Sequence, residues 1–223
     1  MNISLKDVSY NYEKNNLIPT IKNLNIDISN KGFTALIGSN GSGKTTIGKL
    51  MAGILKPTKG NIFYNDENIK NMSLGSIGKN VGYIFQDPER QIFAPTVKEE
   101  LTFVLKIKGF SEEEIENKAE KMLLKFRLSH LKDNFPFNLS RGEKQRLALA
   151  AVLINSPKFL ILDEPTTALD IRCKEELKDI LKNLLNQNIG MLVISHDYKF
   201  IDNFADRVIE ISGGEIKNDH FKK

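Results

Sequence analysis

The stretch FTALIGSNGSGKTT, Phe33 to Thr46, runs from an apolar segment through a glycine-rich turn to a lysine and two threonines. Phe33 to Ile37 is short and continuously apolar, as a strand buried on both faces of a parallel sheet is, and it ends at Gly38. From Lys44 to about Leu55 the pattern becomes helical, until Lys56-Pro57-Thr58-Lys59-Gly60 stops it. Between the two, Gly38-Ser39-Asn40-Gly41-Ser42-Gly43-Lys44-Thr45 satisfies GxxxxGK[ST] in the strand-then-helix setting that gives this motif its meaning. Glycines let the backbone turn tightly enough for successive N–H groups to point at phosphate oxygens, and the helix start adds the positive end of its dipole. Lys44 supplies a point charge and Thr45 a hydroxyl for Mg²⁺. A strand, a phosphate loop and a helix predict an α/β domain that binds a nucleotide.

A second stretch, LSRGEKQRLALAAVLINSPKFLILDEPTTALD, Leu139 to Asp170, supplies the remaining chemistry. Ser140 followed three residues later by Glu143 is a capping-box pattern opening a helix through Leu153, and such a helix start can bind an anion. Leu160 to Leu162 reads as a buried parallel strand whose carboxyl end carries Asp163 and Glu164, where open α/β sheets place ligand-binding groups. Coupled to the phosphate loop, Asp163 reads as a second Mg²⁺ anchor. Glu164 reads as the general base that orients and deprotonates an attacking water.

Around these stretches the chain alternates. Ile3 to Tyr10 and Leu24 to Ile28 read as strands, so the first 37 residues are β; Asn61 to Tyr64 and Val81 to Phe85 follow. Gln86-Asp87-Pro88-Glu89 breaks regularity, and Val97 to Arg127 is mostly helical with a turn at Gly109 and Phe110, a helical lobe interrupting the sheet. Strands resume at Phe159 to Leu162, Met191 to Ser195 and Val208 to Ile211, with an amphipathic helix from Lys174 to Asn186. Gln86 ends a strand, and its amide suits Mg²⁺ coordination or water positioning. His196 ends another, either as a surface histidine or as a hydrogen-bond donor to a γ-phosphate. Tyr12 is either an ordinary aromatic on the β layer or a ring stacked on adenine. His130 and His220 have no such setting.

With 223 residues the chain has room for one large α/β domain or two lobes sharing a nucleotide. Its 32 basic and 28 acidic residues are interspersed, so the net charge of +4 is that of a solvated surface and no nucleic-acid partner is expected. Cys173 is the only cysteine, which excludes an intramolecular disulfide and a multi-cysteine metal site and fits a reducing compartment. The start, MNISLKDVSYNY, lacks a secretory profile, and the longest apolar run, Leu147 to Ile154, is far below the roughly 20 residues that span a bilayer. Any membrane role therefore requires a spanning partner.

GSNGSGKT, the glutamine of FQDPE, LSRGE, LILDEP, TALD and the histidine of SHD, in that order, resemble the nucleotide-binding subunit of ATP-binding cassette (ABC) transporters over essentially the whole chain. The resemblance implies a P-loop NTPase (RecA-like) parallel-sheet core with an amino-terminal antiparallel β layer and an inserted helical lobe. In one ABC ATP-binding domain over residues 1–223, it puts 1–86 and 159–223 in a nucleotide-binding lobe and 87–158 in a helical signature lobe. It further implies a head-to-tail dimer with ATP between the P-loop of one subunit and LSRGE of the other. Tyr12 would stack adenine; the loop from Gly38 through Ser39, Asn40, Gly41, Ser42 and Gly43, with Lys44, Thr45 and Thr46, would hold phosphates and Mg²⁺. Gln86 would couple to the membrane partner, Asp163 would anchor Mg²⁺, Glu164 would be the base and His196 would hold the γ-phosphate. Asp170 would line the dimer contact, while Ser140 and Gly142 would act in trans.

The segment FQDPERQIFAPTVKEE, Phe85 to Glu100, is similar to that of energy-coupling factor (ECF) importers, which take up vitamins or cobalt and nickel ions. The expected partners are a second ABC ATPase, identical or paralogous, and a transmembrane subunit, placing the chain on the cytoplasmic face of the membrane. With Lys223 soon after Gly213-Gly214, the expectation is that dimerisation rests on nucleotide and the membrane partner rather than on a carboxyl-terminal extension. The family pattern LSGGQ is LSRGE here: Glu143 suits its helix but repels a triphosphate, and Arg141 is expected to offset it. Soluble ABC proteins that remodel nucleic acid or ribosomes are a second reading, disfavoured because they carry coiled-coil insertions or two cassettes. A low-turnover nucleotide-binding partner is a third; intact Lys44, Asp163, Glu164 and His196 argue against it, and LSRGE leaves it open.

Overall fold

The computed structural model describes residues 1–13, 19–29, 32–202 and 204–222. Its core is a six-stranded sheet in the order β10 (Glu215–Phe221), β9 (Arg207–Ser212), β3 (Phe33–Ile37), β8 (Gly190–Ile194), β7 (Phe159–Asp163), β6 (Val81–Ile84). All neighbours are parallel except β9 and β10. A separate antiparallel sheet runs in the order β2 (Ile21–Ser29), β1 (Asn2–Tyr10), β4 (Lys59–Tyr64), β5 (Glu67–Asn68). The expected parallel core and antiparallel layer are both present. That layer also takes in Asn61 to Tyr64, read as part of the βα alternation, which pairs with β1 instead.

Alternation along β7 shows why its run is uniformly apolar. Phe159 and Ile161 face one core, Leu160 and Leu162 the other, so both faces are buried. The first core encloses α1 (Lys44–Met51) between the two sheets, with Ile47, Leu50 and Met51 packed among Leu5, Ile26 and Ile62 on one side and Ile161 and Ile194 on the other. The second core carries α3 (Val97–Ile107), α4 (Glu112–Lys125), α5 (Arg141–Leu153) and α6 (Ile171–Asn186). Gly48 lets α1 approach the sheet, since a Cβ there would lie 2.8 Å from the Ile194 side chain.

Helix α1 ends at Met51, a turn before the expected Leu55. Gly53 adopts φ +69° while the N–H groups of Ile54 and Leu55 return to the Lys49 carbonyl, a glycine stop that the downstream proline cluster had concealed. Elements without an apolar period were not legible: α2 (Leu74–Asn80), α7 (Tyr198–Asp202), β5 and the exposed edge strand β10. The capping box read at Ser140 with Glu143 forms, and the structure shows a second at Ser111 with Glu114.

Candidate functional site

Strand register assembles the site. Leu36 of β3 pairs with Ile194 of β8, which pairs with Asp163 of β7, and Leu162 of β7 pairs with Ile84 of β6. The residues just beyond these, Gly38, His196, Glu164 and Gln86, therefore emerge within about one residue of the same level at the carboxyl edge, where such sheets bind ligands. A cleft of about 320 Å³ lies there, lined by Tyr12, Thr20, Asn40, Gly41, Gly43, Lys44, Thr45, Thr46, Gln86, Glu164 and His196. A larger cleft of about 780 Å³ between α3 and α4 carries four carboxylates, Glu99, Glu112, Glu116 and Asp133, against two lysines, Lys98 and Lys106, and is poorly suited to phosphate.

The loop before α1 requires glycine where it turns. Gly38 has φ +145° and a Cβ there would strike the Ile211 carbonyl; Gly43, at the N-cap of α1, has φ +107° and a Cβ there would lie 2.6 Å from the Ile21 side chain. Beneath the loop, Lys44 Nζ donates to the carbonyls of Gly38 (2.9 Å) and Ser39 (2.8 Å). Burial lowers the Lys44 ammonium pKa, an effect that Glu164 and Asp163 oppose. Ser42 Oγ is buried with no hydrogen-bond partner among the described residues.

Asp163 is buried and accepts from two hydroxyls, Thr45 Oγ1 at 2.9 Å and Tyr83 OH at 2.9 Å. Burial raises its carboxyl above the ordinary range, and those two bonds pull it back down. Tyr83 had no sequence signal beyond membership of an apolar strand. Glu164 is buried and sits at φ +48°, a costly conformation for a residue with a Cβ, held by its N–H on the Ile194 carbonyl at 2.8 Å. Its Oε2 lies 2.9 Å from His196 Nδ1, and since a carboxylate only accepts, the ring nitrogen donates. Tyr12, exposed at the cleft rim, shares a 3.0 Å hydrogen bond with Thr46 Oγ1, and its ring meets Tyr10 edge-on. An exposed ring there leaves a face open to a base.

Ser140 and Gly142 do not line this cleft. Ser140 is exposed at the N-cap of α5, and its hydroxyl and N–H both donate to Glu143 Oε2, at 2.7 and 2.8 Å. Glu143 is thus occupied by its own cap, which holds its carboxyl below the usual range. Contrary to the expectation, Arg141 does not stand beside it as a free cation for an anion: its guanidinium turns inward to the carbonyls of Thr167 and Gln86. Gly142 is packed on Cys173, whose Sγ would be 2.6 Å from a Cβ there. Asp170 caps α6 by accepting the Cys173 N–H at 2.7 Å. In the segment Phe85 to Glu100, Gln91 Oε1 accepts the Phe85 N–H, and buried Glu100 of α3 accepts the N–H groups of Phe93 and Ala94, so the loop beyond Gln86 is tied both within itself and to α3.

A family model described as ABC transporter matches residues 21–167. The chain is 41% identical over 202 residues to the energy-coupling factor transporter ATP-binding protein EcfA2 of Clostridium perfringens, covering 88% of this chain and 70% of that one. Among solved structures, cbiO1 of Clostridium perfringens, described as part of the ABC transporter complex cbiONQ, superposes with a TM-score of 0.88 at 30% identity, covering 98% of this chain and 88% of that one. A dimeric ATP-binding cassette in a post-hydrolysis state with ADP and Pi does so at 0.88 and 28%, covering 99% of each. No helix among the described residues is long and apolar enough to cross a membrane.

Proposed function

Because this chain belongs to the ABC transporter family as an ATPase subunit, we propose that it drives an energy-coupling factor type importer. In this reading residues 1–86 and 159–223 bind the nucleotide, and 87–158 carry the LSRGE segment. The family reading rests on the motif set and relatives; the observation that carries the mechanism is the split between cleft and cap. Lys44, Thr45, Gln86, Glu164 and His196 line one cleft, and Ser140 and Gly142 are not part of its lining. The cleft then serves the subunit's own ATP, and the α5 start serves ATP held by a second subunit, identical or paralogous, in a head-to-tail dimer.

The chemistry follows from the side chains. Lys44 exchanges its two loop carbonyls for β- and γ-phosphate oxygens, and the N–H groups from Ser39 to Thr46 take the remaining charge. Thr45, Asp163 and Gln86 offer hydroxyl, carboxylate and amide oxygens, a hard donor set that suits Mg²⁺ shared with phosphates, and they would hold it there. When bound, Mg²⁺ neutralises phosphate charge. Glu164 takes the proton of the attacking water, with His196 Nδ1–H fixing its carboxylate; donation from the other ring nitrogen to the γ-phosphate requires the imidazolium form. Tyr12 stacks on the adenine. Closure of the dimer on ATP is passed from Gln86 through the helical lobe to a transmembrane subunit at the cytoplasmic face.

Glu164→Gln tests this reading. It should keep ATP binding, lose about 10²–10⁴-fold in turnover as a general base does, and accumulate an ATP-dependent dimer in size-exclusion chromatography. Unchanged turnover removes Glu164 from its role. For the transporter class, affinity purification from membranes should bring down a small coupling subunit with a vitamin-binding or metal-binding protein; an exporter permease instead would refute the importer assignment.

A further inference from the structure

Arg141 stands where a cation is locally unfavourable, at the first position of α5, whose N-terminus carries the positive end of the helix dipole. A residue that breaks a local rule invites the question of what it gains elsewhere. Its Nε donates to the Thr167 carbonyl at 3.1 Å and its Nη2 to the Gln86 carbonyl at 3.1 Å. These carbonyls belong to two loops leaving adjacent strands, β6 and β7. Gln86 lines the nucleotide cleft itself. Thr167 is tied to the other catalytic loop, since its N–H donates to the Glu164 carbonyl at 3.1 Å, closing a turn that carries the base. One planar guanidinium with two donors held in a fixed fork thus spans the loop of the cleft glutamine and the loop of the cleft base. The neighbouring Lys144 pairs with Glu89 just beyond Gln86, so α5 is joined to that loop at a second point.

We propose that Arg141 is a positioning residue that straps the start of α5 to the backbones carrying Gln86 and Glu164, so that the segment facing a second subunit's nucleotide and the chain's own hydrolytic residues move as one unit. Engagement of Ser140 by the partner's ATP then sets Gln86 and Glu164 in their working positions, and an unengaged α5 leaves them out of register. A glycine at position 141 has no side chain with which to do this. A lysine keeps the charge but presents a single point donor in place of the fork. The kinetic consequence rests on the ATPase reading above; the strap itself does not.

Two measurements separate them. Hydrogen exchange on the nucleotide-free protein should show faster exchange in Arg141→Gly at the amides of Arg90, Gln91, Thr167 and Leu169, which hold the two loops in their turns, with the sheet amides unchanged. In ATPase assays Arg141→Gly should lower kcat by about three- to tenfold while ATP affinity stays within about twofold of wild type, and Arg141→Lys should fall between. Should Arg141→Gly not fold, Arg141→Gln carries both readouts. Unaltered exchange in both loops overturns the strap. So does a parallel fall in kcat, ATP affinity and melting temperature, which is what lost packing alone would produce. Wild-type protein without ATPase activity would refute the ATPase reading, with the exchange data still deciding the strap.

Discussion

At Asp163 the proposed metal-binding role is set against stability. Burial raises its pKa, so the folded protein holds that proton more tightly than the unfolded chain does. The group then favours folding below its ordinary pKa of 3.8, and that contribution is lost as pH rises through the raised folded value. At neutral pH the ionised side chain costs stability. Asp163→Asn should therefore raise the nucleotide-free melting temperature at pH 7, with a smaller gain near pH 4, while abolishing Mg²⁺-dependent turnover; a lowered melting temperature at pH 7 would refute this. Lys44 and Thr45 were legible in the sequence because a phosphate loop is local, each residue working within a few positions of the next. Tyr83, 80 residues from its partner Asp163, was not. Nor were the acceptors of Arg141, 55 and 26 residues away, whose position turned an expected anion-binding cation into an internal tie.

Among elements, α1 and α5 carry the two helix starts proposed to face nucleotide, and their packing differs. Helix α1 lies between both sheets, with Gly48 against Ile194 of β8 and Ile161 of β7. Gly48→Val overpacks that contact, should cost about 1–3 kcal/mol, and should weaken ATP binding by shifting the loop that α1 anchors; thermal melts and nucleotide titration would check both. Helix α5 begins with a capping box whose hydroxyl and carboxylate engage each other. Ser140→Ala should cost about 1 kcal/mol of stability. It should leave ATP binding to the isolated subunit intact while impairing ATP-dependent dimerisation in the Glu164→Gln background; weakened monomer binding would place Ser140 on its own subunit's nucleotide instead. The pattern of serine followed by glutamate predicted this cap correctly, because capping is settled within four residues. The premature end of α1 at Gly53 was missed because the proline and glycine cluster after it offered a stronger but later stop.

At the scale of the whole molecule, nucleotide should stabilise what it bridges. A ligand at about 100 times its Kd adds roughly 2.7 kcal/mol, which in a domain of this size raises the melting temperature by about 5–10 °C. ATP with Mg²⁺ should produce that shift in Glu164→Gln and little of it in Lys44→Ala; an equal shift in both would move the binding site away from the cleft. The sequence by itself determined the phosphate loop, the acidic strand end, the capped α5 and the order of the strands and helices that carry an apolar period. These rest on periodicity, glycine and capping, interactions closed over a few residues. Only the tertiary structure decided that β4 joins the antiparallel layer, that His196 donates to Glu164, that Tyr83 supports Asp163, and that Arg141 reaches the two loops carrying Gln86 and Glu164. Those pairings depend on the register of strands far apart in the chain, set by the burial of both faces of the sheet rather than by any short pattern.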